Sequence, residues 1–216
     1  MFLKWDQTLF SCRSNQTLEF DEICQQPGEA NMRVKSTFLL TLLICGLSAA
    51  GWLYFRFWRS HRYDASIAEA SRRYKMPPGL IKAVIWRESN FKEKAVGTVG
   101  ELGLMQVQET AAREWVDAER IPIFSEKHLL NPHTNIFAGT FYLSKLVHRY
   151  KSVDNPLPYG LADYNAGRQN VLRWAKGAAK TNSAAFFAAI DFPTTRRYIS
   201  SILERQNEYA SDFKGP

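Results

Sequence analysis

The residue whose type and placement first suggest chemistry is Glu88. In the stretch Leu80 to Ser89, LIKAVIWRES, residues Ile81, Val84, Ile85 and Glu88 recur at helical spacing, so a carboxylate ends an otherwise apolar stripe. An ionised carboxylate is costly to remove from water, and full burial raises its pKa by as much as about 3 to 5 pH units. A carboxylic acid kept protonated near neutral pH suits the breaking of a glycosidic bond, because the leaving oxygen must gain a proton as the bond lengthens. The plainer reading of the same pattern is an acid at a helix end that faces solvent or pairs with Arg87, since perturbed acids mark function only statistically.

Other chemistries find less support. His61, His128, His133 and His148 show neither H-E-x-x-H nor any other paired-ligand spacing, so no metal site is expected. There is no glycine-rich phosphate loop after a strand and no Ser-His-Asp arrangement around a nucleophile elbow, and no cofactor is implied. The formal charge of +7 favours an anionic partner. The basic excess is spread along the chain without a run interleaved with aromatics, which argues against nucleic acid.

Helices dominate the elements that would hold Glu88 in place. Asp64 is expected to cap a helix over Ala65 to Tyr74, with Ile67, Ala68 and Ala70 inward. Pro77-Pro78-Gly79 opens the Glu88 helix, since a proline in the first turn loses no needed hydrogen bond. Thr134 to Tyr150 carries Ile136, Gly139, Tyr142, Leu143, Leu146 and Val147 at three-and-four spacing, the stripe of a long buried helix behind a Thr134 cap. Asn170 to Ala179, Ser183 to Ile190 and Thr194 to Glu208 read as three more helices, the last with Tyr198, Ile202 and Leu203 inward. Gly97, Gly100 and Gly103 mark a small hairpin or irregular lobe between Glu93 and Gly103.

Ahead of these, Ser36 to Phe55 runs STFLLTLLICGLSAAGWLYF, about twenty residues without a charge, the length of a helix that crosses a bilayer core. Basic residues flank it, and Trp52, Tyr54 and Trp58 lie where an interfacial aromatic belt would. It reads as an anchor at 36–55, with a cleaved signal peptide and a secreted product as the competitor. Residues 1–35 form a leading segment, of which 1–31 read as disordered or as preceding a natural start at Met32. Residues 56–63 read as a juxtamembrane linker and 64–216 as the folded domain. Cys12, Cys24 and Cys45 all precede that domain; Cys12 and Cys24 would pair only in an oxidising compartment, and incidental thiols are the simpler reading. Ile44 before Cys45 disfavours a lipoprotein anchor.

Four segments in order resemble the family 1 lytic transglycosylases and goose-type lysozymes: ESNFKEKAVGTVGELGLMQV from Glu88, NPHTNIFAGTFYLSKL from Asn131, DYNAG from Asp163, and FPTTRRYI from Phe192. Together they cover roughly residues 64–209. The resemblance implies a mainly α, lysozyme-like domain with a small irregular or hairpin lobe, preceded by the transmembrane helix. It implies peptidoglycan glycan strands as the partner, with Glu88 as the acid that protonates the bond between N-acetylmuramic acid and N-acetylglucosamine. Glu88 would then act as the base on the muramic acid 6-hydroxyl, giving a 1,6-anhydro end. Ser89 would steady the glutamate or meet the substrate peptide, or be a plain helix-end hydroxyl. Met105 and Gln106 would lie under the sugar, with Gly103 allowing close backbone approach; Leu104 reads as core. Tyr164 would hydrogen-bond Glu88 or the glycan, or be an ordinary core phenol, and Asn165 would hold their loop.

Two departures from the family pattern, Glu101 and Asp163, add carboxylates near the expected cleft. They read as solvated or structural acids, or as groups that make the enzyme more hydrolytic. Wall cleavage puts the domain outside the cytoplasmic membrane, so the expected arrangement is a single-pass inner-membrane protein with a periplasmic C-terminus, on which the flanking charges are neutral to mildly adverse. The rival readings are a goose-type lysozyme-like hydrolase and a non-catalytic peptidoglycan-binding scaffold of an envelope machine.

Overall fold

The computed structural model describes residues 27–214, with side chains from residue 35 onward. The expectations for the first 26 residues, including those for Cys12 and Cys24, lie outside the described residues. The chain divides into two compact units at Trp52/Leu53.

Among the described residues, helix α1, Pro27–His61, is the element long and apolar enough to cross a membrane, with a window of mean hydropathy 1.9. It is longer than the expected span at both ends, because nothing in residues 27–35 or 56–61 breaks a helix after its opening proline. Every side chain from Lys35 to Trp58 is exposed, Leu39 and Leu47 at 65%. Water does not ordinarily face so long an apolar surface. Residues 56–61, expected in a linker, are the last turns of α1.

The second unit is helical: α2 Asp64–Tyr74, α3 Pro78–Ser89, α4 Glu109–Glu119, α5 Pro132–Arg149, α6 Leu157–Ala166, α7 Arg168–Trp174, α8 Ser183–Ala189 and α9 Pro193–Tyr209, with short 3-10 turns at Glu126–Leu130, Gly177–Lys180 and Ala210–Phe213. Helix α5 is central and packs against α2, α4 and α6, while α3 lies along α9. Gly79 is what lets α3 and α9 close, since a Cβ there would come within 2.5 Å of the Gln206 carbonyl oxygen. The lobe between α3 and α4 has no strand; with two isolated antiparallel bridges, Val96 to Leu102 and Leu102 to Val107, it takes the irregular of the two expected forms.

Several expectations need correction. The cap of α5 is Asn131, whose side chain accepts from the Thr134 amide at 3.1 Å, not Thr134 itself. The helix expected over Asn170 to Ala179 breaks after Trp174 and resumes as the 3-10 turn. Asp64 is the first residue of α2 and caps nothing. Its carboxylate lies 2.7 Å from Lys82 Nζ, and that ammonium lies a further 2.7 Å from Asp212. Lys82 sits on α3 and is fully buried, capped by the rings of Tyr209 and Phe213. His61 Nε2 reaches the same Asp212 at 3.6 Å. One cation thus fastens α2, α3 and the C-terminal turn, and the end of α1 meets the same acid.

A buried cation without its partners is costly, and so are its partners without the cation. Lys82→Met is therefore expected to destabilise the domain by about 2–4 kcal/mol, less than a fully buried pair because both acids retain some solvent contact. Replacing Asp64 and Asp212 by Asn in the same chain should recover most of the loss. Urea unfolding of the full chain in detergent measures both, and a Lys82→Met chain of unchanged midpoint counts against the arrangement.

Candidate active site

Glu88 stands in the last turn of α3, on the stripe of Ile81, Val84 and Ile85, all fully buried. Its side chain is mostly covered and opens onto a cleft of about 570 Å³. The cleft is lined by Gly97 to Val99, Glu101 and Gln106 of the lobe between α3 and α4, and by Tyr142 and residues Asp163 to Gly167. Burial is the main reason the Glu88 carboxyl is pushed up to about 7 from 4.5, with the Glu101 carboxylate adding to it. Opposing these, the Tyr198 hydroxyl donates to Glu88 Oε1 at 2.6 Å, and Arg87 favours the ionised form. A donor fixed on Oε1 makes that oxygen an acceptor and leaves Oε2 to carry the acid proton.

Tyr198 is the group that residue-level reading undervalued. It was legible as an inward position of α9, yet nothing in that spacing pairs it with an acid 110 residues away. Helix α9 also supplies Thr195, one turn earlier, whose hydroxyl donates to Asn165 Oδ1 at 2.9 Å. Tyr198 and Tyr164 are both held well above the ordinary phenol pKa, first by burial and then by the nearby Glu88 charge, so both remain hydrogen-bond donors.

The expected residues divide. Glu88, Gln106, Tyr164 and Asn165 come together in the cleft; Ser89, Gly103 and Met105 do not line it. The Ser89 hydroxyl donates back to the Ile85 carbonyl at 3.1 Å within its own helix. Met105 is fully buried, its side chain against Gly139. Gly103 does allow a close approach, with φ +75°, but the neighbour is protein: a Cβ there would meet the Asn135 amide nitrogen at 2.3 Å. Tyr164 and Asn165 lie on α6 and not in a loop, and the Tyr164 hydroxyl donates to the Met105 carbonyl at 2.8 Å, not to Glu88.

Asn135 is the second group that went unremarked. Fully buried on α5, it accepts from the Met105 amide at 2.7 Å and donates to the carbonyls of Leu102 and Leu129. It thereby fixes the turn that presents Gln106, whose backbone has φ +48° and whose side-chain amide donates to Gly103 O at 2.9 Å. Asp163 is a structural acid, 5% exposed, held by Arg149 at 2.6 Å and by the Tyr150 hydroxyl at 2.7 Å. Glu101 accepts from the Val99 amide at 3.1 Å. Among the described residues, no lysine or arginine lines the cleft, so their basic excess does not act there. Among the described residues, His61, Asp64 and Asp212 lie close enough to share a metal ion, but the Lys82 ammonium already lies against both acids.

Residues 65–187 match the model of the transglycosylase SLT domain family. The chain is 32% identical over 148 residues to the soluble lytic murein transglycosylase of Escherichia coli K12, covering 66% of this chain and 22% of that one. It is 36% identical over 121 residues to the membrane-bound lytic murein transglycosylase C of Klebsiella pneumoniae, covering 53% of this chain and 34% of that one. The chain thus spans about a fifth to a third of the length of these curated relatives. Among solved structures it resembles an inactive mutant of the lytic transglycosylase Slt of Pseudomonas aeruginosa, with a TM-score of 0.65 at 26% identity over 72% of this chain and 25% of that one. It also resembles a 70 kDa soluble lytic transglycosylase in complex with bulgecin A, with a TM-score of 0.64 at 28% identity and the same coverage.

Tyr198→Phe removes the one hydroxyl that holds the Glu88 carboxylate down while keeping the buried ring. The Glu88 midpoint is expected to move above its value of about 7, read from the side-chain carboxyl ¹³C shift during a pH titration. A midpoint that stays or falls would contradict the role given to this bond.

Proposed function

The chain belongs to the transglycosylase SLT domain family, and on that premise we propose that it is a peptidoglycan lytic transglycosylase with Glu88 as general acid and then general base. The observation that carries the reading is a carboxyl group set in a polar cleft, hydrogen-bonded on one oxygen by Tyr198 and titrating near neutrality. At that poise both protonation states are accessible to one residue within one turnover.

The protonated Oε2 gives its hydrogen to the oxygen that links N-acetylmuramic acid to N-acetylglucosamine, and the C1–O bond breaks. The substrate's own N-acetyl group supports the oxocarbenium ion. The Glu88 carboxylate then takes the proton of the muramic acid 6-hydroxyl, whose oxygen closes on C1 to leave a 1,6-anhydro end. Tyr198 stays bonded to Oε1 through both steps and stabilises the ionised form between them. Gln106, Tyr164 and Asn165 line the groove for the glycan, Gln106 and Asn165 through side chains whose position is already fixed. The engagement of Asp163 with Arg149 and Tyr150 supports a single-acid route, because that carboxylate is not free to act as nucleophile or base.

The apolar, exposed course of α1 supports an anchored form: a single-pass protein of the bacterial inner membrane with its catalytic domain in the periplasm. The relative named membrane-bound lytic murein transglycosylase C is consistent with membrane anchoring.

Glu88→Gln is expected to lower release of muropeptides from purified sacculi by at least about a thousandfold, the upper range for loss of a general acid/base. Its effect on stability has the opposite sign. The folded carboxyl titrates near 7 and the unfolded one near 4.5, so the unfolded chain loses its proton first and the native chain loses stability as pH rises through that window. The Gln chain escapes this penalty and should be more stable by on the order of 1–3 kcal/mol above pH 7, with no advantage below pH 4. Thermal unfolding of both chains across pH reads the difference.

Mass analysis of the muropeptides released by the native chain tests the product. Anhydro ends support the proposal. Free reducing ends would instead make the protein a lysozyme-like hydrolase, with Glu101 as the added acid to examine.

A further inference from the structure

Away from the cleft, two connected grooves surround Trp86 on α3. The first, about 200 Å³, is lined by Arg56, Arg59 and Ser60 from the end of α1, by Asn90, and by Arg205 and Tyr209 of α9. The second, about 410 Å³, continues from Trp86 and Asn90 to Arg87, Arg197 and Ser201. Among the described residues, five arginines line this surface and no carboxylate does. Glu208 lies 3.5 Å from Arg205, and Arg87 feels the charge of its neighbour Glu88. The Arg205 guanidinium lies over the Trp86 ring, its Cζ 4.3 Å from the ring centroid, a cation–π contact that holds the cation at the groove. Arg87 and Arg197 are exposed.

The level of this surface follows from the span. If the apolar run ends at Phe55, the helical rise of about 1.5 Å per residue carries Arg59 about 6 Å beyond the hydrocarbon edge. The headgroup layer on each side of a bilayer is about 5–8 Å thick. Arg59 therefore falls among the phosphates, and Trp86 and Arg205, which share its groove, fall beside it. The exposed rings of Trp52, Tyr54 and Trp58 occupy the neighbouring turns, as interfacial aromatics do.

We infer that this arginine-lined surface docks onto the phosphate groups of anionic phospholipid in the membrane that α1 crosses, holding the catalytic domain against the bilayer. The inference rests on the anchored placement above but not on the reaction. A wall-polymer carboxylate is the less favoured occupant, since these grooves share no lining residue with the cleft. A patch of like charge is also most relieved by a dense, fixed layer of opposite charge.

The full chain, reconstituted into nanodiscs of phosphatidylcholine alone or with about one third phosphatidylglycerol, is treated with phenylglyoxal and the modified arginines are located by mass spectrometry. Arg59, Arg87, Arg197 and Arg205 should react at least about threefold more slowly in the anionic discs, and about 0.5 M salt should remove the difference. Arg113 and Arg173, on other elements, should react alike in both. In the Arg59→Gln/Arg205→Gln chain, Arg87 and Arg197 should lose most of their protection. Equal rates in the two lipids, full protection in the double variant, or protection in neutral discs only when soluble muropeptides are added would each overturn the proposal. A chain that does not co-migrate with the discs would overturn the anchor as well, whereas equal rates in a chain that does would leave the anchor standing.

Discussion

The active cleft depends on a hydrogen bond between two helices far apart in sequence, Tyr198 of α9 to Glu88 of α3. Burial alone would leave the acid free to choose among rotamers and too reluctant to ionise. One fixed donor orients the carboxyl and keeps its ionised form within reach. The bond needs α3 and α9 in close contact, which Gly79 permits by presenting no side chain to the backbone around Gln206. From the same face of α9, Thr195 holds Asn165 on α6. One helix therefore references two parts of the cleft to each other, and Lys82 braces the far side of α3 against the turn that follows α9.

The wall opposite is built on a different principle. The turn at Gly103 to Gln106 has two residues with positive φ and no sheet to support it. Buried Asn135 replaces the missing ladder by satisfying one amide and two carbonyls of the surrounding chain. The Tyr164 hydroxyl takes up the Met105 carbonyl in the same turn. Residues that a motif reading assigns to substrate are thus partly consumed in holding one another, and Gln106 is delivered to the cleft with its side-chain amide already committed.

Helix periodicity made the fold legible where a stripe met clear punctuation. Pro77-Pro78-Gly79 marked the start of α3, and the apolar spacing of α5 and α9 described their buried faces. Legibility failed where a local rule met a distant partner. Asp64 has the type and position of a cap, but a buried ammonium 18 residues on outweighs a backbone amide for its carboxylate. Lys82 was invisible for the same reason, since a lysine in a helix ordinarily faces solvent. LPYGLADYNA, with proline, glycine and asparagine, has little intrinsic helical preference, and tertiary packing makes it α6. At the site, spacing singled out the acid without its orienting phenol, because Tyr198 and Glu88 belong to one another only after the chain has folded.

Charge follows a division that composition conceals. A net charge of +7 invites the idea of a basic groove drawing in an acidic polymer, yet the cleft is lined by Glu88, Glu101 and Asp163 and by no lysine or arginine. The chemistry explains the exclusion. A cation in the lining would stabilise the Glu88 carboxylate and pull its pKa back toward that of an ordinary glutamate. Arg149, which reaches the lining, is paired to Asp163. Attraction to an anionic surface therefore has to be built elsewhere on the domain, and the arginines around Trp86 lie on the end of α1, on α3 beside Glu88's own turn, and on α9. The same two helices that hold Glu88 also carry this positive charge, and at Arg87, next to Glu88 in the chain, the two meet: its charge opposes the burial that raises the acid.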